Sequence, residues 1–482
     1  MQPKASPFPE APDTSFVNIS DSEESRYDRE QHSITPADDL DGASIVYLLL
    51  LCAPRMAISV AWAAQWAAFG PLLSTIFSAP WKVTLIQVIG PITGLLVAPA
   101  VGVLSDHNPS WYGRRRPFIL GSTVATILCW CVMMNAPAIG RAAGDTPTDQ
   151  VYTAVFTVVC YLWMDISVNV LQTSVNLLIA DFAGYRQVTA FSVASGYDVI
   201  GRLLVSGYIW WFGPAYQTMQ WFFVMLLLVL VATSIPVCIY VVEAPLLVAP
   251  HAPLHVYKEA AMAWFNCFRF LPRQLAVYCV VFVCLEYGFI AYNGVKGQYF
   301  GEHVYHGNST NANTCGDACS PDQQAFNHGV TVASGVTDTM VNVVSLLYLI
   351  VLPTLVRRVG ARRVFLWSIV PQMLLVLMAF SHVAALDVAI IVLCSITQAT
   401  VFALQIPVIM HVIGYGEQEG LGLYYGAFNS ANCVGQLLNF AFAPLLIRSS
   451  MGYALPVLVG GVLSIIGFFI VRQFFTLRMK TY

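Results

Sequence analysis

The sequence predicts an all-α membrane protein in which twelve transmembrane helices form two halves of six. Over its 482 residues the chain is 57% hydrophobic and only 10% charged, with a formal net charge of −3, whereas about a quarter of the residues of soluble domains are charged. Apolar runs long enough to cross a bilayer, which takes roughly 20 residues, recur along the chain. Because these runs are continuous rather than alternating, and lipid admits only helices and closed barrels, they predict helices.

The apolar runs also set the expected organisation of the chain. Helices are predicted near 44–70, 81–104, 117–136, 150–180, 188–213, 218–242, 272–296, 328–352, 361–382, 385–412, 420–447 and 453–476. The predicted segments are a disordered cytosolic tail 1–42, an N-terminal half 43–242, a cytosolic linker 243–271, a C-terminal half 272–476 with an outer loop 297–327, and a short tail 477–482.

Positive charge predicts the orientation, because cytoplasmic joints of membrane proteins are enriched in Lys and Arg. With both termini cytosolic, the inner joints hold Arg114, Arg115, Arg116, Arg186, Lys258, Arg269, Arg357, Arg358, Arg362, Arg363, Arg478 and Lys480. The outer joints hold Lys82, Arg141 and Arg448, with Lys296 near a boundary. We therefore expect a multi-pass protein of the plasma membrane or an organellar membrane, with both termini in the cytosol.

The predicted outer loop carries two signals that fit an oxidising compartment. Asn308 begins an Asn-Ser-Thr glycosylation acceptor, and Cys315 and Cys319 lie in the same loop, where a disulfide is chemically allowed. Both signals agree with the orientation that the positive charges predict.

A weak internal repeat relates the two halves. Gly113–Arg116 follows the second predicted helix, and Gly360–Arg363 follows the eighth, so each occupies the second inner turn of its half. Parallel six-helix repeats are the signature of the major facilitator fold, in which substrate binds between the halves near the midplane. The alternative is that both runs are ordinary positively charged anchors.

Polar side chains inside the predicted helices mark a candidate pathway. On the fourth helix, polar residues at offsets of 4, 7 and 11 share one face, and the eleventh helix repeats the arrangement. Such amides suit a neutral polyhydroxylated ligand, because they both donate and accept hydrogen bonds. On the first helix, Trp62 and Gln65 place an aromatic ring beside an amide, and we count both among the candidate substrate-binding residues. The predicted substrate-binding residues from these stripes are Asn169, Gln172, Asn176, Asn429, Asn432 and Gln436, and the alternative is that they hydrogen bond helices together.

Charged residues within the helices predict coupling to protons. Besides Asp165, the charged residues expected to be buried are Arg55, Asp198, Arg202, Glu286 and Asp338. We count Asp198, Glu286 and Asp338 among the candidate substrate ligands. Asp198 and Arg202 are spaced to neutralise each other on one helix. Asp165 has no opposite charge on its own helix, so we hypothesise that it accepts the coupling proton, with Arg202 or Arg55 as the nearby cation.

Several segments of the chain carry recognisable motifs, namely Ser105–Asp106 with Tyr112–Ile119, Trp62–Gln65 with Pro71, Gly90–Gly94, Asp165–Asn169, Leu171–Gln172, Leu178–Asp181, Gly422–Leu423, Gly426 and Asn429–Gln436. These motifs resemble those of the sucrose–proton symporters, which belong to the glycoside–pentoside–hexuronide cation symporters of the major facilitator superfamily. They also resemble the animal proton-associated sugar transporters. The resemblance implies a proton-linked Asp165 and a glycoside or hexose as substrate.

The chain also departs from that family. Asn176 stands where the plant carriers have an arginine, Asp198 and Arg202 stand where they have Asn and Tyr, and Val295–Gln298 replaces an acidic pattern. Arg202 is expected to replace the missing positive charge. In the second inner joint, Asp106 with Gly113, Arg114, Arg115 and Arg116 is interpreted as a gating latch or as a topology anchor.

These observations predict proton-coupled symport of a sugar by alternating access. The alternatives are a facilitator without proton coupling, a carrier of another neutral or cationic solute, and, more remotely, a membrane sensor. The sequence has no HExxH, no GxSxG and no Cys/His metal spacing, so we expect neither an enzyme nor a cofactor or metal. The sequence has no block of basic residues of the kind that binds nucleic acid, so we expect no nucleic-acid partner. We expect a monomer in the lipid bilayer.

Overall fold

The computed structural model describes residues 44–65, 88–146, 151–212, 218–243, 253–269, 271–309, 319–414 and 421–476. Within these ranges the secondary structure is helical. Eleven continuous stretches are long and apolar enough to span a membrane, and one of them, Val151–Ile209, contains two helices joined by the 3₁₀ turn Gly184–Arg186. The chain is thus a multi-pass integral membrane protein, and its helices are compatible with twelve spans.

The N-terminal six spanning helices are labelled α1 to α6. Helix α1 comprises Ile45–Cys52 and Pro54–Ala64, followed by α2 Ile89–Asp106, α3 Arg116–Met134, α4 Val151–Ala183, α5 Gln187–Phe212 and α6 Met219–Tyr240. A short helix, Ala136–Ala143, follows α3 on the predicted outer side, and the predicted linker contains the helix Pro253–Arg269. The predicted tail 1–42 and part of the first predicted helix lie outside the described residues.

The C-terminal six are labelled α7 to α12. They are α7 Arg273–Asn293, α8 Asp338–Val359, α9 (Ala361–Ser368, Val370–Met373 and Leu375–Met378), α10 (Ala384–Ala403 and Gln405–Ile413), α11 Leu421–Ile447 and α12 Ala454–Phe474. Helix α9 is interrupted, and Pro371 near one interruption has no N–H to continue a helical ladder. The predicted tail 477–482 lies outside the described residues.

The eighth helix begins earlier than the sequence pattern indicates. Pro321–Thr331 is helical and continues through the π-helical turn Val332–Thr337 into α8. Its start is a capping box, in which Ser320 and Gln323 each bond the backbone N–H of the other, and this satisfies two N–H groups that a helix start otherwise leaves free. Much of the predicted outer loop is therefore folded.

The two halves pack together along two seams. Helix α2 packs against α11, and α5 packs against α8. At the inner end of the first seam, Gly102 faces Gly422 and Pro99 faces Gly426. Gly422 and Gly426 are four apart, which is the small-residue spacing that lets membrane helices approach closely.

Three histidines cluster on the predicted outer side of the C-terminal half. The ring of His382 lies 4.6 Å from that of His303 and 5.3 Å from that of His306, measured between centroids. Burial, with help from the neighbouring His382 and His306, lowers the pKa of His303.

This lowered pKa predicts acid-sensitive stability. Below the unfolded value of about 6.5 the unfolded chain binds a proton that folded His303 takes up only at lower pH, so acidification favours unfolding in that window. We expect the thermal unfolding midpoint in detergent to fall as the pH drops through the window, and to fall less in His303→Gln. An equally steep fall in His303→Gln would refute the assignment.

Candidate functional site: a polar core between the two halves

The polar stripe of α4 faces the interior of the bundle, as its spacing predicts. Asp165, Asn169 and Asn176 are buried, and Gln172 is half-buried. The side chains contact α1 and α11, so this stripe lies where the two halves meet.

A chain of hydrogen bonds joins four helices across the junction of the two halves. Trp62 of α1 donates its indole N–H to Gln172 Oε1 of α4 at 2.8 Å, and Gln172 Nε2 donates to Asn429 Oδ1 of α11 at 3.2 Å. Asn429 Nδ2 then donates to the carbonyl of Gly94 on α2 at 3.0 Å. The predicted substrate residues Trp62, Gln172 and Asn429 are thus brought together in one network that links the halves.

A second network surrounds Arg55 of α1. Its guanidinium forms an ion pair with Asp198 of α5 and donates to Asn176 Oδ1 of α4 at 3.0 Å. Asn176 Nδ2 in turn donates to the hydroxyl of Tyr425 on α11. The expectation that Asp198 and Arg202 neutralise each other is corrected in part, because Asp198 forms its ion pair with Arg55, while Arg202 is a second cation whose charge acts on it. Asp198 pairs with a residue of α1, which packs against α5, rather than with the residue one turn further along α5.

The same network corrects the expectation about the missing arginine. A guanidinium does reach Asn176, but Arg55 supplies it from α1, and Arg202 does not. Arg202 instead donates from Nε to Asn342 Oδ1 of α8 at 3.1 Å, across the second seam. Arg202 shares a face of α5 with Asp198, four residues away.

Asp165 lies deep in α4, and no described cation forms an ion pair with it. Its side chain is fully buried, Oδ1 accepts from Gln65 Nε2 at 2.9 Å, and Oδ2 has no hydrogen-bond partner. The ion pairs found in the described ranges do not include Asp165. Arg55 binds Asn176, which is about 16 Å further along the helix at 1.5 Å per residue. The prediction that Arg55 or Arg202 pairs with Asp165 is thus wrong.

Gln65 orients this carboxylate. Its Nε2 also reaches the hydroxyl of Tyr161 at 2.5 Å, while Asn169 donates to the backbone carbonyl of Asp165 at 2.8 Å. Asn169 therefore supports the helix backbone, and Gln65 is the direct partner of the Asp165 carboxylate. The free Oδ2 is a position at which a proton, water or substrate hydroxyl can bind.

The other candidates lie in the C-terminal half. Asp338 of α8 forms an ion pair with Lys296, so it is neutralised by a residue of the segment that replaces the family's acidic pattern. Asn432 and Gln436 of α11 bond to each other, Nε2 of Gln436 donating to Oδ1 of Asn432 at 2.9 Å. Glu286 of α7 is 2% exposed, so it does not line an open surface in this state.

The residues of the predicted latch lie together at the inner end of α2. Arg115 is fully buried and pairs with both Asp106 of α2 and Asp181 of α4, while Arg114 pairs with Asp181 at 2.9 Å. The other oxygen of Asp106 accepts the backbone N–H of Gly422 at 3.0 Å, at the start of α11 in the opposite half. Asp106 therefore ties the arginine cluster to the C-terminal half, as a latch between the halves requires.

Sequence reasoning missed Glu243, which completes this cluster. Its carboxylate accepts the backbone N–H groups of Arg115 and Arg116 at 2.8–3.1 Å, at the start of α3. Burial raises the pKa of Glu243, although the N–H groups of Arg116 and Arg115 lower it. Gly113 has φ +109°, and a Cβ there would lie 2.6 Å from Glu243 Oε2, so glycine is required.

Arg116 takes a different role from its neighbours. Its guanidinium lies 4.2 Å from the centre of the Tyr112 ring and donates to the carbonyl of Cys238 at 3.2 Å, to which the Tyr112 hydroxyl also donates. Arg116 thus anchors the loop to α6.

The outer-loop predictions are partly described. Cys319 is disulfide-bonded, but Cys315 lies outside the described residues, so their pairing stays a prediction. The backbone N–H of Asn308 donates to the carbonyl of Asp322 at 3.0 Å, and its side chain is exposed.

The overall fold is that of the major facilitator transporters. The human organic anion transporter MFSD10 superimposes with a TM-score of 0.64 at 13% identity, over 88% of this chain and 98% of that one. The E. coli fucose:proton symporter FucP, in an outward conformation, does so with a TM-score of 0.61 at 13% identity, over 89% and 98%. Such low identities establish the fold alone.

Sequence comparison narrows the relationship. The family described as MFS/sugar transport protein matches residues 72–286. Sucrose transport protein SUC3 of Arabidopsis thaliana is 33% identical over 183 residues, 35% of this chain and 31% of that protein. Sucrose transport protein SUT1 of Oryza sativa subsp. japonica is 25% identical over 340 residues, 64% and 62% respectively. The matches thus span less than two thirds of either relative, and they confirm the predicted resemblance to the sucrose symporters.

The close contact between α2 and α11 makes a specific prediction about the inner seam. A Cβ at position 422 would overlap the carbonyl of Gly102 and lie 2.6 Å from Asp106 Oδ2, so Gly422→Ala should separate the inner ends. We expect faster hydrogen–deuterium exchange in peptides from 89–106 and 421–447, read by mass spectrometry. Gly121→Ala is the matched control, because an added Cβ there meets nothing within 4 Å. Equal exchange in the two variants would show that this seam does not hold the inner side closed.

Proposed function

We propose that the protein is a secondary active transporter that couples uptake of a sugar to protons by alternating access. The observation that carries the proposal is the polar core at the junction of the halves, where the Trp62 indole of α1 meets amides of α4 and α11, near a buried carboxylate with one oxygen that has no partner among the described residues. Related proteins of the sucrose transport type support a glycoside or hexose as substrate.

The chemistry of the core suits this ligand class. Gln172, Asn176 and Asn429 offer both donors and acceptors, which matches the hydroxyl groups of a sugar, and Trp62 adds an aromatic face. When the halves separate, the cross-half bonds of Gln172 and Asn176 break, and a bound sugar would replace them. Substrate thereby compensates for the hydrogen bonds that opening removes.

Asp165 is the proposed proton carrier, and its environment explains why. The described neighbours leave one carboxylate oxygen without a partner, and an isolated charge in the membrane interior is costly. Protonation of Asp165 removes that cost, so proton binding is linked to whether the carboxyl group is buried in the closed site. Arg55 keeps the charge of Asp198 balanced and acts in the second network rather than on Asp165.

The closed inner seam supports the transport cycle. Asp106, Arg115 and Gly422 hold the inner ends of α2 and α11 together, so the structure corresponds to a state closed toward the predicted cytosol. We infer that breaking this latch opens the site inward. We further infer a monomer with cytosolic termini, glycosylated at Asn308 and bridged between Cys315 and Cys319.

Uptake into proteoliposomes tests the function directly. With an inward proton gradient, we expect labelled sucrose, maltose or glucose to accumulate above equilibrium, and a protonophore to abolish the excess. Protein-free liposomes are the control. Uptake that merely equilibrates regardless of the gradient would establish a facilitator instead, and no uptake of any of the three sugars would contradict the assignment of a sugar substrate.

A further inference from the structure

A second buried carboxyl group lies in the C-terminal half, at the interface of α7 and α11. Glu286 of α7 is 2% exposed, and it packs against Gly435 of α11. A Cβ at position 435 would lie 2.9 Å from Glu286 Cβ and 2.9 Å from the carbonyl oxygen of Val283. Glycine at this position therefore admits the Glu286 side chain into the interface.

Among the described residues, Glu286 has no partner that would stabilise a negative charge. Its Oε1 has no hydrogen-bond partner, and the ion pairs of the described residues do not include it. The described parts of the helices around α7, chiefly α11 and α12, direct no charged group at it, and Cys433 of α11 is the titratable group beside it. On its own helix, Cys284 and Tyr287 are the nearest titratable residues. Because an unpaired carboxylate in such surroundings is costly, the neutral acid is the favoured form.

The position of Glu286 relates it to Asp165. Asp165 lies beside Gly90 of α2, and one turn further along α2 a Cβ on Gly94 would lie 2.6 Å from Cys433 Sγ. Cys433 is two residues from Gly435, against which the Glu286 side chain packs. The two carboxyl groups thus flank the contact between α2 and α11, one in each half.

A hydrogen-bond donor is available nearby for the ionised form. Asn439 is four residues from Gly435, so it lies on the same face of α11, and it is 4% exposed with its Nδ2 unpartnered among the described residues. A movement of α11 along α7 by four residues, about 6 Å at 1.5 Å per residue, would bring position 439 to the level that Gly435 occupies beside Glu286.

We propose that Glu286 is a second proton-binding site, which holds a proton in the present inner-closed state and releases it when α11 moves against α7. The step is a simple dissociation, in which the O–H bond breaks and the proton passes to water that enters between the halves. Its role in transport rests on the proposed sugar–proton symport, but the proton on Glu286 does not.

Infrared spectroscopy of the full-length protein in liposomes tests the protonation itself. A protonated carboxyl group has a C=O stretch distinct from that of a carboxylate, so we expect Glu286→Gln to lose one such band present in wild type near neutral pH. Glu286→Asp, which retains the carboxyl group, should move the band rather than remove it and guards against a folding defect. Asp322→Asn, on an exposed residue of the outer segment, is the control. An unchanged set of bands in Glu286→Gln would overturn the proposal.

The transport role has its own measurement. We expect the proton-to-sugar ratio, obtained from the reversal potential of sugar-coupled current in proteoliposomes, to fall by one in Glu286→Gln. An unchanged ratio, with the infrared band lost, would refute the coupling role. Absence of sugar transport in wild type would instead refute the proposed function, while the infrared result would still decide whether Glu286 holds a proton.

Discussion

The cost of placing a charge inside a bilayer is the constraint on which the rest of this structure depends. On insertion scales one charged side chain at the membrane centre costs about 2.5–3.5 kcal/mol, and removing one partner of a buried pair costs more. The chain meets this constraint by pairing charges between helices, as Arg55 does with Asp198 and Lys296 with Asp338. Among the described residues Asp165, Glu286 and Asp387 are exceptions, because each is buried and has a carboxylate oxygen without a hydrogen-bond partner. Asp165 and Glu286 flank the contact between α2 and α11, and we propose that these two bind protons.

The same requirement to pair buried polar groups explains how the two halves are coupled. Asp106 serves two partners at once, because one oxygen pairs with Arg115 in its own half and the other accepts the N–H of Gly422 in the opposite half. Neither partner can be lost without leaving a buried polar group unsatisfied, which costs about 1–3 kcal/mol. Bonds of this kind favour two discrete arrangements over intermediate ones, as alternating access requires.

Periodicity predicted the spanning helices and the faces of α4 and α11, because helical spacing and apolar length are local properties of the sequence. It did not predict the partners of the charges. The offset of four between Asp198 and Arg202 indicates a shared face, but the choice of Arg55 depends on which helix packs opposite. Glu243 is 127 residues from Arg116, and no local pattern relates them. The hydrophobic pattern also did not predict the interruptions in α9 or the helical start at Pro321. These features depend on the local backbone, and the apolar or loop-like character of the surrounding stretch gives no sign of them.

The central claim is that Asp165 carries the coupling proton, and the Asp165→Asn variant in proteoliposomes tests it most directly. The account predicts that this variant still exchanges labelled for unlabelled sugar across the membrane but accumulates less sugar than wild type under the same proton gradient, because the proton carried by Asp165 is lost. Asp322→Asn, an exposed carboxylate outside the core, should retain both activities. Gradient-driven accumulation with an unchanged pH profile in Asp165→Asn would contradict the account.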